Sequence, residues 1–234
     1  MRHTRWLAGQ LAAATLALAA GCGLTGCAGP PTVPEIASQV QTALRSISSV
    51  HVSGLMVSGT RRTRVDLNLT RAGGMYGTLS DSSGPLTVLA AGGTTYLLAT
   101  LSSLKRMGLP VSACPVLCHR YFELTQQQDY HLLQSLGWTT FLGPSVGAQL
   151  HQVTMAGTAA VRGRPAWVLR AAAGGTAYVA ARGTPYLLRV LPGNGLAGGQ
   201  LDFSEWNRVV IPPVPPISSV IAQGGTSLPG PAAN

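Results

Sequence analysis

The chain has 234 residues, 46% of them hydrophobic and only 10% charged, with a formal net charge of +9. That length and apolar content suit one domain with a sizeable core. The positive charge is almost all arginine, Lys105 being the one lysine, and no segment interleaves it with aromatics as a nucleic-acid module does, so nucleic acid is set aside as a partner.

Arg2 and Arg5 precede an apolar stretch from Trp6 to about Ala20, followed by small residues. Basic, apolar, then small is the layout of an export signal. The apolar run falls short of the roughly 20 residues of a membrane-spanning helix and is broken by Gly9, Gln10 and Gly21. A simple secretory signal would free a soluble protein. The run Leu24-Thr25-Gly26-Cys27, however, resembles a bacterial lipobox. That resemblance implies removal of residues 1–26 and attachment of a diacylglycerol to the Cys27 sulfur, holding the protein to the extracytoplasmic face of the cell membrane. Cys22 is the alternative acceptor, but it lacks the branched aliphatic residue that Leu24 places three positions before Cys27. Loss of Arg2 and Arg5 takes two charges from +9 and leaves +7. Such a surface suits anionic headgroups or acidic wall polymers, and equally serves plain solubility.

Residues 27–33 form a Gly/Pro-rich tether, and residues 34–222 the single domain. Pro34 and Glu35 are favourable first-turn residues, and Ile36, Val40, Leu44 and Ile47 share one helical face, which predicts a helix to about Ser46. From Val50 the period becomes two. Val50, Val52 and Met56 share a parity, and Val65, Leu67 and Leu69 alternate with Arg64, Asp66 and Asn68. Gly-centred turns then separate strands at 75–80, 86–90 and 94–98, an antiparallel meander of five. Residues 99–120 read as a short helix and a loop, with Tyr121 to Leu124 extended. Asp129 to Leu136 is helical, Trp138 to Leu142 continues it, and Pro144 or Ser145 opens another short helix to Leu150. A second meander follows, with strands at 153–161, 166–172, 177–181, 186–191 and 200–206. The Pro-rich stretch 211–216 is extended, Ser218 to Ala222 forms a last helical turn, and residues 223–234 are a disordered tail.

The fold class is therefore α+β, mainly β. About ten antiparallel strands form one sheet curled around a few helices, because apolar residues on both parities, as at Leu97-Leu98 and Leu187-Leu188, leave two faces to cover. Glycines inside strands, such as Gly77 and Gly157, permit the curvature.

The chemistry is sparse. The histidines are scattered, no Gly-x-Ser-x-Gly elbow is present, and Asp202 and Glu205, three apart on one strand, face opposite sides, so no catalytic residue is assigned and the chain reads as a non-enzyme. Cys114 and Cys118 are the cysteines of the folded part. In an oxidising compartment they pair as a disulfide, in preference to a metal site that would want more ligands than Cys114, Cys118 and His119 provide; no metal or other cofactor is expected. Arg61, Arg62, Arg64 and Arg71 form a basic cluster, read as a solvated strand face in preference to a headgroup site. The aromatics Trp138, Trp167, Trp206, Phe141 and Phe203 line either a core or a cavity wall.

The order of elements, with Gly183-Thr184-Pro185-Tyr186-Leu187 and Asp202-Phe203-Ser204-Glu205-Trp206-Asn207 before a Pro-rich tail, resembles the LolA-like lipoproteins of actinobacteria, the LppX/LprG/LprA/LprF group, over residues 35–222. The Cys114/Cys118 loop is a departure from that group. The resemblance implies a half-barrel enclosing an apolar cavity for acyl chains, with a lipid or glycolipid cargo and an envelope protein as a further partner. Val65, Leu67, Leu69, Leu97, Leu132, Leu136 and Phe141 are then the cavity positions. The competing expectation is an envelope scaffold with a filled core and no cargo.

Overall fold

Alternation of apolar and polar side chains is converted into strands along nearly the whole domain, and the strands join into one sheet. The computed structural model describes residues 31–143, 152–172, 174–193 and 199–221. Cys22, Cys27, the expected helix 144–150 and the tail 223–234 lie outside them. The elements are α1 (Val33–Ser46), β1 (Ser49–Ser58), β2 (Arg61–Thr70), β3 (Met75–Asp81), β4 (Gly84–Ala91), β5 (Thr94–Leu98), α2 (Leu101–Arg106), α3 (Cys114–Leu117), β6 (Tyr121–Glu123), α4 (Gln126–Leu136), α5 (Trp138–Leu142), β7 (Val153–Val161), β8 (Arg164–Ala171), β9 (Thr176–Ala180), β10 (Leu187–Leu191), β11 (Gln200–Ser204) and β12 (Val220–Ile221).

The strand order is β12-β6-β5-β4-β3-β2-β1-β11-β10-β9-β8-β7. Each meander runs outward, and the two are sewn together where β1 pairs with β11, His51 opposite Ser204 and Ser53 opposite Asp202. The sheet has twelve strands among the described residues, where about ten were expected, and its one parallel pair is β12 on β6. The expected helical turn at 218–222 is a 3-10 turn at Ile217–Ser219 followed by β12, because Val220 and Ile221 complete the free edge of β6. The last long strand ends at Ser204, not at Trp206. Glu205 (φ 52°) and Asn207 (φ 61°) adopt the left-handed conformation, which a strand cannot continue through.

One face packs around helices. From α1 come Ile36, Val40 and Leu44, with Ile47 just beyond its end, and from α5 Phe141 and Leu142; they meet Val50, Val52, Val65, Leu67, Leu69, Val88, Leu201 and Phe203 of the sheet, with Leu132, Leu133 and Leu136 of α4 at its border. On the second face Leu188 packs with Val161, Ala166 and Ala180, and Leu89 and Tyr96, paired across β4 and β5, are also buried there. Leu104 packs with Leu117 and Ile221 at the β6–β12 edge of the sheet. This is why Leu187 and Leu188 are both buried: they face different layers. Gly77 marks a point of close approach. At φ 154° its absent Cβ would lie 2.0 Å from the Asp66 carbonyl oxygen of the neighbouring strand, so no other residue fits there without moving β2.

The helix ends are held by specific side chains. Glu35 accepts from the Thr32 N–H (2.7 Å) and the Thr32 hydroxyl (2.9 Å), and these bonds hold its carboxyl below its ordinary pKa. Thr125 and Gln128 exchange side-chain-to-backbone bonds at the start of α4, and the buried Thr95 hydroxyl donates to Asp129, tying that helix to β5. Arg71 stands apart from the other arginines of its expected cluster. Its Nε donates to the Ile47 carbonyl (2.8 Å), its terminal nitrogen to the Leu44 carbonyl, and its guanidinium stacks 5.3 Å from the Trp138 ring. It thus satisfies carbonyls that α1 leaves open at its C-terminal end and pins α5 beside them. Arg71→Ala is expected to cost about 1–2 kcal/mol, read by urea denaturation, whereas Arg64→Ala on the solvent face should change it by less than about 0.5 kcal/mol. Equal effects of the two would show that the cap is not what Arg71 contributes.

The Cys114–Cys118 disulfide spans α3, and both cysteines pack with Leu104, Leu109, Phe122 and Ile221. A loop this short restricts the unfolded chain little. Reduction is expected to lower stability by no more than about 2 kcal/mol and to leave the far-ultraviolet circular dichroism unchanged. Loss of the sheet signal on reduction would contradict this.

Candidate functional site

The helix-facing parity of β2 changes character along its length. Leu69, Leu67 and Val65 are 1%, 0% and 1% exposed. Thr63 and Arg61 continue the same face, half-buried and then exposed, at the β1–β2 hairpin. The neighbouring strands do the same: on β3, Met75 and Leu79 give way to Asp81. The C-terminal end of α1 lies at the opposite end of these strands, beside Arg71. Around the hairpin ends a cavity of about 290 Å³ remains, walled by Met56, Leu79, Leu86, Leu136, Pro192 and Leu201, with Thr63, Arg61 and Asp81 at its border.

Of the positions expected to line a cavity, Leu136 does so. Val65, Leu67, Leu69 and Phe141 are buried in the continuous core, and Leu97 and Leu132 pack partly buried against it. Met56, Leu79, Leu86 and Leu201 were not singled out. Each shares the core-facing parity, but only three-dimensional pairing reveals that these strand ends adjoin one opening. Among the expected aromatics, Phe203, Trp206 and Phe141 are buried in the core, and Trp138 and Trp167 pack against it.

The second face carries the polar chemistry. Asp202 is 6% exposed and receives Arg189 through Nε (2.5 Å) and a terminal nitrogen (3.0 Å), Arg162 (3.1 Å) and the Gln200 amide (3.2 Å). Burial raises the Asp202 pKa, but hydrogen bonds and charge from Arg189, the charge of Arg162 and the Gln200 bond outweigh it and leave the carboxyl below its ordinary value. Beside it, His51 bridges Ser204 Oγ (Nδ1, 3.1 Å) and Asp66 Oδ1 (Nε2, 3.0 Å). A serine, a histidine and an aspartate in line invite comparison with a hydrolase. Here they stand on three adjacent strands whose amides pair in the ladder, Asp66 is largely exposed, and the apolar cavity lies on the other face. Glu205 follows β11 and does not extend it, so the expected opposition of Asp202 and Glu205 across one strand does not arise.

The Asp-Phe-Ser-x-Trp-Asn segment is thereby explained residue by residue. Asp202 closes the arginine network, Phe203 enters the core, and Ser204 meets His51. Trp206 stacks on Tyr186 (4.9 Å between centroids) and Phe203 (6.0 Å), joining this segment to Gly183-Thr184-Pro185-Tyr186-Leu187. Asn207 accepts from the Ser48 N–H (2.7 Å), and its own N–H donates to the Ser49 carbonyl. The two motifs fasten the second meander onto the first.

LprF from Mycobacterium bovis superposes on this architecture with a TM-score of 0.52, at 15% sequence identity, over 79% of this chain and 98% of that one. The fold is shared with LprF. Lipoprotein LppX from Mycobacterium tuberculosis aligns at 16% identity over 76% of this chain and 97% of its own, with a TM-score of 0.48. No family profile matches the sequence, and no curated protein matches it. The curled, mainly β sheet around a few helices that the sequence leads one to expect is present in the chain's own topology, and it is not closed into a barrel. No helix among the described residues is long and apolar enough to cross a membrane.

Proposed function

We propose that this is a lipoprotein of the cell envelope, anchored through an acylated Cys27, that binds an acyl-chain lipid or glycolipid and carries or presents it. The observation that supports this most is the apolar cavity of about 290 Å³ left between the sheet and Leu136 of α4 where the strands end. Burying ten methylenes there contributes about 8 kcal/mol, enough for micromolar retention with no catalytic group. The volume lies at the lower limit of ligand pockets, roughly 300 Å³, and so favours one chain over two.

Protein purified from its own membrane is the test. Native mass spectrometry should find an acyl lipid bound and the mature chain starting at an acyl-bearing Cys27. Leu79→Trp, which fills the cavity, should remove the bound lipid while leaving the fold intact. Cys27→Ser should move the protein to the soluble fraction. Absence of any co-purifying lipid, with the cavity variant indistinguishable from the native chain, would overturn the cargo reading.

The complete burial of Val65, Leu67 and Leu69 against α1 favours a second reading, an envelope scaffold with a filled core and a protein partner. In that case a partner crosslinked in cells is captured equally by the native chain and by Leu79→Trp.

A further inference from the structure

Arg61 belongs to two neighbouring cavities at once. It borders the apolar one, and with Arg62, Thr60 and Ser82 it lines a polar recess beside it. The recess is built from the β1–β2 and β3–β4 hairpins. Arg61 stands on the helix-facing parity, in line with Thr63, Val65 and Leu67, so one strand leads from dry core to guanidinium within a few residues. Among the described residues, neither Arg61 nor Arg62 is engaged in an ion pair or side-chain hydrogen bond. By contrast Arg71, Arg120, Arg162 and Arg189 all hold protein partners. Asp81 is the acidic residue at this border, and its Oδ1 accepts from the Ser83 N–H (2.8 Å). Two guanidinium groups against one carboxylate leave the rim positive.

Resting on the reading of the cavity as an acyl-chain site, we infer that the recess takes the head of the same ligand, and that this head is a phosphate-class oxyanion. Guanidinium groups offer paired donors matched to tetrahedral oxyanions, and the Thr60 and Ser82 hydroxyls add neutral donors. A neutral sugar headgroup can accept from the same guanidinium donors but leaves their charge uncompensated, which an oxyanion does not. The same geometry could hold free phosphate, so the tail and the head are tested separately.

Calorimetric titration of the purified full chain, freed of lipid, uses dodecyl phosphate, dodecyl maltoside and inorganic phosphate as probes. Dodecyl phosphate is expected to bind at least tenfold more tightly than dodecyl maltoside, and inorganic phosphate at least a hundredfold more weakly than dodecyl phosphate. Arg61→Gln with Arg62→Gln should bring dodecyl phosphate down to the affinity of the maltoside and leave the maltoside unchanged, which also shows that the variant is folded. Arg64→Gln, which shares the parity of Arg62 but lines neither cavity, should preserve the preference. Equal binding of the two amphiphiles overturns the headgroup inference alone. Inorganic phosphate binding as tightly as dodecyl phosphate overturns it in favour of a free-anion site, and loss of preference in Arg64→Gln overturns it in favour of general charge. Binding of neither amphiphile overturns the cavity reading as well.

Discussion

Trp206→Ala is expected to destabilise the domain by about 3–5 kcal/mol, the range for deleting a buried large aromatic. The ring lies between Tyr186 and Phe203, nearly parallel to both, and closes the core where the chain leaves β11. No neighbour beyond these needs to move for the loss to be large, because the cavity left behind is bounded by the start of β10 on one side and by β11 on the other. Trp206→Phe should recover most of the loss. The indole Nε1 has no hydrogen-bond partner among the described residues, so replacing it forfeits ring area and no bond. Urea denaturation monitored by circular dichroism measures both. A loss below about 1 kcal/mol for the alanine variant, or an equal loss for phenylalanine, would mean that stacking is not what this residue contributes.

That residue also illustrates what a sequence can and cannot convey. Its neighbourhood stood out as a motif, yet nothing in the motif says that Trp206 meets Tyr186, since the contact depends on β10 and β11 being adjacent. The strands themselves were legible because period-two alternation is a local property: Val65, Leu67 and Leu69 had to face one way wherever β2 was placed. The pairing of β1 with β11 is not local, and no local pattern encodes it. Edge strand β12 was missed for a related reason. Two residues carry no periodicity, and they are extended only because β6 offers them an unpaired edge.

The site was legible to a different degree. Parity correctly separated an apolar face from one carrying Arg62, Arg64 and Asp66, and the same parity applied to Arg61 puts it on the apolar side. What parity does not supply is depth. Mid-strand positions are the most apolar and so attract attention first, but they are also where α1 fills the concavity. Space remains at the strand ends, where composition is mixed and a cavity wall looks like an ordinary turn. Arg71 and Asp202 were hidden more thoroughly. A lone arginine after a strand and a lone aspartate within one read as solvated charge until the third dimension brings helix carbonyls to the first and two guanidinium groups to the second.

Asp202→Asn should therefore be the most costly polar substitution, at about 2–3 kcal/mol near neutral pH. An amide cannot match the charge of Arg189, which is largely buried beside it; Arg162 is half exposed and can return to water, which keeps the cost from rising further. The effect carries a defined pH dependence. The carboxyl titrates below 3.8, its ordinary value, in the folded state, so the unfolded chain binds the proton more readily. The stabilisation is complete above that ordinary value and is lost as pH falls through the lower folded value. Consequently the gap in unfolding free energy between the native chain and Asp202→Asn is expected to be constant from about pH 5 to 8 and to narrow progressively below about pH 4. Urea titrations at pH 7 and pH 3 measure the two ends. A gap that is the same at both would show that Asp202 acts through its shape and hydrogen-bonding capacity, not through its charge.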